Sequence, residues 1–154
     1  MKTAKAKCDV LQESMRMLGR KDFSRLGMRD ALLRKGYLES EACLAVEQLV
    51  EWGYLTDERF AEERIGHYQR FGKGRLFVER YLIEQSVPQE KVRELLERFY
   101  PEDEELNIAQ KLTSSYFKQR ENSSAERLRW MRRLIASGFS RNAIKACGYR
   151  DEET

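Results

Sequence analysis

Apolar residues recur at intervals of three and four positions along nearly the whole chain, and no convincing run alternates apolar with polar residues. Spacings of three and four place apolar side chains on one face of an α-helix, whereas a half-buried strand alternates. The pattern therefore predicts an all-α protein with about nine helices. They are expected over approximately residues 4–19, 25–35, 40–52, 57–69, 75–85, 88–99 and 101–116, with an eighth helix after Ser123 and a short ninth after Ser140.

Glycine, proline and serine mark the predicted helix ends. Gly36 is expected to cap the second helix in a left-handed conformation, and Pro88 and Pro101 to open the sixth and seventh helices as first helical residues. Ser123 and Glu126 fit a capping box at the start of the eighth helix. The residues expected to face inward include Val10, Leu11, Met15 and Leu18 in the first helix, Phe60, Ala61, Ile65 and Tyr68 in the fourth, and Leu128, Met131, Leu134 and Ile135 in the eighth.

A short segment occurs three times. The stretches "LLRKGYLES" (32–40) and "LIASGFSRN" (134–142) share an aliphatic pair, a glycine and an aromatic residue, and a third copy is centred on Ser86. When Gly36, Ser86 and Gly138 are aligned, apolar residues coincide at five positions: Leu26, Leu76 and Leu128; Met28, Val78 and Trp130; Leu32, Leu82 and Leu134; Leu33, Ile83 and Ile135; and Tyr37, Val87 and Phe139. One extra residue in the first copy then aligns Cys43 with Val92 and Ile144.

These copies predict a repeat architecture. A helix–turn–helix of this size cannot bury its apolar face alone, so neighbouring copies are expected to stack and share a core. We therefore expect an elongated, curved array of three tandem three-helix repeats, with approximate segments 1–54, 55–100 and 101–154. The repeated residues are interpreted as core and turn residues, so the functional surface is expected among residues that are not repeated.

Charge is unevenly distributed along the 154 residues. Basic and acidic residues number 10 and 8 in residues 1–55, 9 and 13 in 56–105, and 10 and 5 in 106–154, so the net charges are +2, −4 and +5. A basic end beside an acidic middle suggests oriented docking onto a charged partner. No apolar stretch is long enough to span a membrane and no signal-peptide core is visible, which predicts a cytoplasmic protein.

Residue patterns typical of catalysis or metal binding are sparse. His67 is the sole histidine, and the three cysteines, Cys8, Cys43 and Cys147, are interpreted as reduced thiols. The acidic residues at 62–63 and 102–105 fit helix N-terminal charge and solvated surface. "GKGR" (72–75) lacks the spacing of a phosphate-binding loop and fits a flexible helix–helix junction. We therefore expect a protein that is not an enzyme and that uses no metal or cofactor.

The remaining signal is basic. The candidate partner- or nucleic-acid-binding residues are Arg70, Lys73, Arg75, Arg127, Arg129, Arg132 and Arg133. In the eighth helix, Arg129 lies three and four residues before Arg132 and Arg133, so it shares a helix face with them. These arginines belong to the most positive third of the chain. Both a solvated basic face and a binding surface for nucleic acid or an acidic protein groove are consistent with this set. The nearby aromatics Tyr116, Phe117 and Trp130 are interpreted as core residues rather than as platforms for base stacking.

Several segments resemble the RecX family, whose members regulate the RecA recombinase. "GYLTDERFAEERI" (53–65) is similar to a family block in which Gly-Tyr/Phe-Leu-Asp-Asp leads into an Arg-Phe/Tyr-Ala helix. "RLGMRDALLRKGY" (25–37), "KGRLFVERYLIEQSV" (73–87) and "RWMRRLIASGF" (129–139) resemble further family blocks in the same order. Thr56 departs from the usual first aspartate, and Ser86 stands where the family has a glycine, which bears on the conformation of that turn.

The resemblance implies an array of three-helix repeats that lodges in the groove of the RecA–DNA filament. Bound there, family members generally oppose filament growth and depress the ATPase, strand-exchange and coprotease activities of RecA. The first hypothesis is therefore a monomeric regulator in DNA repair and the SOS response, with the RecA filament as its partner and single- or double-stranded DNA as a further one. The alternative is a general nucleic-acid-binding helical protein that competes for single-stranded DNA.

Overall fold

The computed structural model describes residues 9–148, and within that range the chain forms nine α-helices and no strand. The helices are α1 (Val10–Leu18), α2 (Arg25–Arg34), α3 (Glu39–Glu51), α4 (Asp57–Arg70), α5 (Arg75–Glu84), α6 (Gln89–Phe99), α7 (Glu102–Phe117), α8 (Ser124–Ala136) and α9 (Arg141–Ala146). The all-α prediction is confirmed; the predicted start of the first helix, residues 4–8, lies outside the described range. None of the described helices is both long enough and apolar enough to cross a lipid bilayer.

The described residues fall into two compact units, residues 9–61 with 84–87 and residues 62–83 with 88–148. In the first unit, α1, α2 and α3 enclose a core whose buried residues are Met17, Met28, Ala31, Leu32, Ala42, Ala45, Val46, Leu49 and Leu55. In the second unit, α7, α8 and α9 enclose a core of Ala109, Trp130, Leu134, Phe139, Ala143 and Ile144. The division into three tandem repeats and their stacking into a curved array stay predictions.

The three repeated turns share one backbone conformation. Gly36, Ser86 and Gly138 have φ values of 91°, 65° and 83°, all in the left-handed region. In each copy the preceding helix ends two residues before this position, and the next helix begins three residues after it. The side chains eight and four positions before each turn are buried: Met28, Val78 and Trp130, and Leu32, Leu82 and Leu134. The three segments therefore agree in their turns and in these core positions.

The extra residue allowed in the first copy is wrong. Because the helix after each turn begins at the same distance from it, the copies stay in register without an insertion. Ala42, Val92 and Ile144, each six residues after the turn position, are buried, whereas Cys43 is only partly buried. The first copy thus has a small alanine where the others have larger side chains.

The turn at Ser86 leads to a stability prediction. A left-handed conformation costs a residue with a Cβ about 1–2 kcal/mol, and glycine avoids that cost but gains freedom in the unfolded chain. We expect Ser86→Gly to raise the free energy of unfolding by up to about 1 kcal/mol, measured by urea denaturation followed by circular dichroism. The control is Arg80→Gly at an exposed interior position of α5, which should lower it by about 1 kcal/mol. A loss of stability in Ser86→Gly would contradict the argument.

In α1, Val10, Leu11 and Leu18 pack against the core of the first unit as predicted, but one predicted position differs. Met15, expected to face inward, is exposed, and Glu13 and Met17 are buried instead. The Glu13 carboxylate lies 2.8 Å from both Lys35 Nζ and Arg16 Nη2, and these partners, Lys35 first, lower the pKa of Glu13. Because its charge is paired, α1 buries a carboxylate at a position that apolar periodicity alone would leave in solvent.

The predicted capping residues lie at helix starts, with two differences of detail. Ser123 Oγ accepts a hydrogen bond from the Glu126 N–H at 3.2 Å. The Glu126 carboxylate, however, binds other side chains, so only half of the predicted capping box forms. Pro88 and Pro101 are N-cap residues, one position earlier relative to their helices than predicted.

Candidate partner-binding surface

The helix α8 exposes the arginines that the sequence marks as candidates for partner binding. Its buried residues are Trp130 and Leu134, which belong to the core of the second unit. The exposed cations of the same helix are Arg127, Arg129, Arg132 and Arg133. The packing of one face of α8 thus leaves a strongly basic surface on the remainder of the helix.

Trp130 fixes the position of α8. Its indole Nε1 donates a hydrogen bond to Thr113 Oγ1 at 2.8 Å, and its ring stacks on Tyr116 with centroids 4.4 Å apart. The Thr113 hydroxyl in turn donates to the Ala109 carbonyl at 2.7 Å. A buried indole whose N–H is satisfied is a packing residue, so the interpretation of Trp130 as core is confirmed. Tyr116 and Phe117 are partly buried against the same core.

Two arginine side chains lie over the ring of Tyr116, which stacks on Trp130. The guanidinium carbons of Arg120 and Arg133 lie 4.2 Å and 5.9 Å from the centroid of its ring. Its hydroxyl donates a hydrogen bond to the Glu126 carboxylate at 2.7 Å, and this bond raises the pKa of Tyr116. Glu126 also pairs with Arg129 at 3.0 Å. Arg129 and Arg133 are therefore partly oriented by contacts within the chain while their side chains remain exposed.

The junction between α4 and α5 lies against the C-terminal end of α8. The Gly74 N–H donates to the Ser137 carbonyl at 2.9 Å, and the Leu76 N–H donates to the Gly138 carbonyl at 3.0 Å. Gly74 is buried, and a Cβ at this residue would overlap the Gly138 carbonyl group. The "GKGR" segment is thus a helix–helix junction as predicted, but a closely packed one rather than a flexible one. It places Lys73 beside the end of α8.

The remaining candidates differ in how free their charges are. Arg70 is exposed at the C-terminal end of α4, and the Lys73 ammonium lies over an aromatic ring at 4.9 Å from its centroid. The Arg75 side chain is only 16% exposed and pairs with Glu97 at 3.1 Å and Glu102 at 3.6 Å. Two carboxylates therefore neutralise Arg75, whereas the α8 arginines carry most of the accessible charge.

Glu105 is a structural residue that the sequence analysis missed. The acidic run at 102–105 predicts helix N-terminal charge and solvated surface; Glu105 lies in the first turn of α7 as predicted, but it is fully buried. One carboxylate oxygen accepts from the Arg75 N–H at 3.4 Å and from the Ser140 N–H at 2.7 Å, and the other accepts from the Ser140 hydroxyl at 3.0 Å. A signal was present, because Glu105 precedes Ala109 by four residues and Leu112 by seven, on the face that packs inward.

Two repeated positions are exposed, which corrects the interpretation of all repeated residues as core or turn. In α8, Leu134 is buried and Met131 partly buried as predicted, but Leu128 and Ile135 are exposed. The positions ten and three residues before the turn are seven residues apart, so they lie on the same helix face. That face is opposite the one that carries the buried positions, eight and four residues before the turn. The same holds for Leu76 and Ile83 in α5.

Nothing in residues 9–148 suggests a metal centre, since no three His, Cys, Asp or Glu side chains are grouped to hold an ion. Cys43 and Cys147 are free thiols, and burial raises the pKa of Cys147; Cys8 lies outside the described range. The His67 ring packs beside Tyr68 and Phe71, with centroids 5.1 Å and 4.6 Å away. These contacts fit its interpretation as a partly packed helix residue.

The chain is similar in sequence to proteins named Regulatory protein RecX. The relative from Trichlorobacter lovleyi is 27% identical over 145 residues, which cover 94% of this chain and 90% of the relative. The relative from Caldanaerobacter subterraneus subsp. tengcongensis is 25% identical over 133 residues, which cover 85% of this chain but only 64% of that longer protein. No family model matches the chain.

The fold is also similar to that of a solved structure. The crystal structure of RecX from Lactobacillus salivarius superposes with a TM-score of 0.79 over 90% of this chain and 91% of that one. At 14% sequence identity, this similarity concerns the fold alone. The sequence relatives extend over most of the chain and bear one name, and the resemblance of four ordered segments agrees with them. Over most of its length, the chain is therefore similar in sequence to proteins named Regulatory protein RecX, and its fold is similar to that of RecX crystal structures.

Proposed function

We propose that this protein binds the RecA–DNA filament and lowers the recombinase, ATPase and coprotease activities of RecA. The observation that carries the proposal is the similarity over 94% of the chain to a protein named Regulatory protein RecX. The link to RecA rests on the resemblance of its ordered segments to that family. The exposed arginines of α8 supply a surface that suits a partner bearing carboxylates or phosphates.

Binding alone accounts for regulation of this kind. Many moderate contacts with a filament oppose the addition of subunits or hold neighbouring subunits in one arrangement, and neither effect needs a catalytic group. The α8 surface is suited to such contacts because Trp130 and Leu134 anchor the helix in the core. A basic face on an anchored helix loses less conformational freedom on binding than one on a mobile segment.

The first test measures ATP hydrolysis by RecA on single-stranded DNA. We expect this protein to reduce the rate at near-stoichiometric ratios to RecA. The variant with Arg129→Glu, Arg132→Glu and Arg133→Glu should require about tenfold or more protein for half-maximal inhibition, because reversed charges repel an acidic partner. An unchanged rate with the unmodified protein would contradict the proposed function.

A matched control separates the position of the charges from their number. Reversal of three exposed cations on α6 and α7 produces the same change in net charge; these are Arg93, Arg98 and Lys111. This control should inhibit within about twofold of the unmodified protein, since exposed charges outside a contact contribute little. Both triple variants should keep the helical circular-dichroism signal; unfolding of the α8 variant alone would identify its arginines as structural.

The same basic face supports one alternative, a general nucleic-acid-binding protein that affects RecA by competing for single-stranded DNA. Salt dependence distinguishes the two functions. A protein that neutralises several phosphates loses affinity steeply as the salt concentration rises. For a single strand, the logarithm of the binding constant falls by about 0.7 per phosphate contact for each tenfold increase in salt concentration. We expect binding to the filament to persist in part at salt concentrations that abolish binding to free DNA. Parallel loss of both would favour the alternative.

A further inference from the structure

The second unit exposes the same three-residue pattern on two helices. Leu76, Arg80 and Ile83 on α5 have the spacing of Leu128, Arg132 and Ile135 on α8, and we call these sets the α5 stripe and the α8 stripe. Members of each stripe lie four and three residues apart, so they share one helix face. The four aliphatic side chains are 43% to 57% exposed, and both arginines are exposed.

A backbone hydrogen bond links the start of the α5 stripe to the turn that follows the α8 stripe. The Leu76 N–H donates to the Gly138 carbonyl at 3.0 Å, so the α5 stripe begins where the helix that carries the α8 stripe ends. Burial of Val78 and Leu82 in α5, and of Trp130 and Leu134 in α8, orients the two helices so that the stripes stay uncovered. The equivalent α2 positions differ, because Asp30 replaces the arginine. The pattern is therefore a property of the second unit.

The chemistry of the stripes favours a protein partner over a nucleic acid. Aliphatic side chains gain by contact with other apolar side chains and gain little from a phosphate backbone, which is bound by cations and hydrogen-bond donors. An arginine between two aliphatic residues adds a planar group suited to a carboxylate. An apolar centre with flanking arginine is also typical of energetically dominant positions in protein–protein interfaces.

We infer that the α5 and α8 stripes together form a docking surface for an acidic protein surface that presents apolar side chains. The inference rests on the proposed function, in which that surface belongs to the RecA filament. It adds a division of roles within the second unit: the aliphatic residues of the stripes recognise protein, and the neighbouring arginines supply the charge. Arg80 and Arg132 are positioned to pair with carboxylates of the partner.

The test uses paired substitutions that remove apolar contacts without changing charge. The α8 pair is Leu128→Ser with Ile135→Ser, and the α5 pair is Leu76→Ser with Ile83→Ser. Each pair should weaken binding to RecA filaments on single-stranded DNA by about tenfold, and their combination by about a hundredfold. The matched control is Leu38→Ser with Leu44→Ser, which replaces two aliphatic residues of the first unit that are 65% and 66% exposed. It should bind within about twofold of the unmodified protein.

Further measurements distinguish the possible occupants. The stripe pairs should bind free single-stranded DNA as tightly as the unmodified protein does, and the unmodified protein should sediment as a monomer. Equal losses for DNA and filament would overturn the inference in favour of nucleic acid. A dimer that the stripe pairs dissociate would overturn it in favour of a second copy of the chain.

The filament titration also separates this inference from the proposed function. If the unmodified protein binds the filament and the stripe pairs bind equally well, the stripes are not the docking surface and the proposed function stands. If the control pair loses as much affinity as the stripe pairs, the inference is likewise wrong. If the unmodified protein does not bind the filament, the proposed function fails and the inference fails with it.

Discussion

Replacement of Gly74 by alanine is expected to lower the free energy of unfolding by roughly 3 kcal/mol. A Cβ at this residue would overlap the Gly138 carbonyl group and the Cα of Phe139, so backbone rather than a flexible side chain must move. The backbone contact is equally close at Gly138, where an added Cβ would lie 2.5 Å from the Phe77 backbone nitrogen. Separation of the two turns would also strain the hydrogen bonds from Gly74 and Leu76.

The control for this prediction lies in the preceding helix. Gly66 is inside α4, and the nearest atom to a Cβ there is an Arg70 guanidinium nitrogen at 3.5 Å. Alanine is a better helix former than glycine, so Gly66→Ala should raise the free energy of unfolding by about 1 kcal/mol. Urea denaturation of both variants, monitored by circular dichroism, gives the comparison. A Gly74→Ala protein within 1 kcal/mol of the unmodified protein would show that the two turns move apart without much cost.

Features decided by neighbouring residues were predicted well from the sequence. Helix ends depend on glycine, proline and hydroxyl residues within one or two positions, and the left-handed turns at Gly36 and Gly138 follow from such local signals. The equivalence of Ser86 with these glycines came from alignment of the copies, and its φ of 65° shows that the turn is kept with a serine. The basic surface of α8 was also predictable, because Trp130 and Leu134 had to face inward.

Features decided by contacts between distant segments were not predictable in the same way. The close approach of Gly74 to Gly138 joins residues far apart in sequence, and nothing local to "GKGR" distinguishes it from a flexible junction. Hydrophobicity alone also predicts that Leu128 and Ile135 belong to the core. When a helix has apolar residues on two faces, its sequence does not indicate which face packs against the core. The repetition of those positions was visible in the sequence, but their exposure was visible only in the structure.

Loss of the Glu105 carboxylate is expected to destabilise the second unit to a similar extent. Glu105→Ala leaves the Arg75 and Ser140 N–H groups and the Ser140 hydroxyl without their acceptor, at the partly buried starts of α5 and α9. An unsatisfied buried donor costs about 1–3 kcal/mol, so a total loss of about 3 kcal/mol is expected when some donors find water. Glu105→Gln keeps one acceptor oxygen and should lose about half as much.

The order of these variants separates a hydrogen-bonding role from a simple charge effect. Asp103→Ala removes an exposed carboxylate from the same first turn of α7 and should cost only about 0.5 kcal/mol, through the helix dipole. If the role of Glu105 were to place negative charge at the start of α7, all three variants would lose similar amounts. Urea denaturation should instead rank Glu105→Ala as most destabilised, Glu105→Gln next and Asp103→Ala least. Glu105 binds the start of α5, which carries one stripe, and the residue between α8 and α9, close to the end of the other. Glu105→Ala should therefore also weaken the proposed filament binding through the stripes, and Asp103→Ala should leave it unchanged.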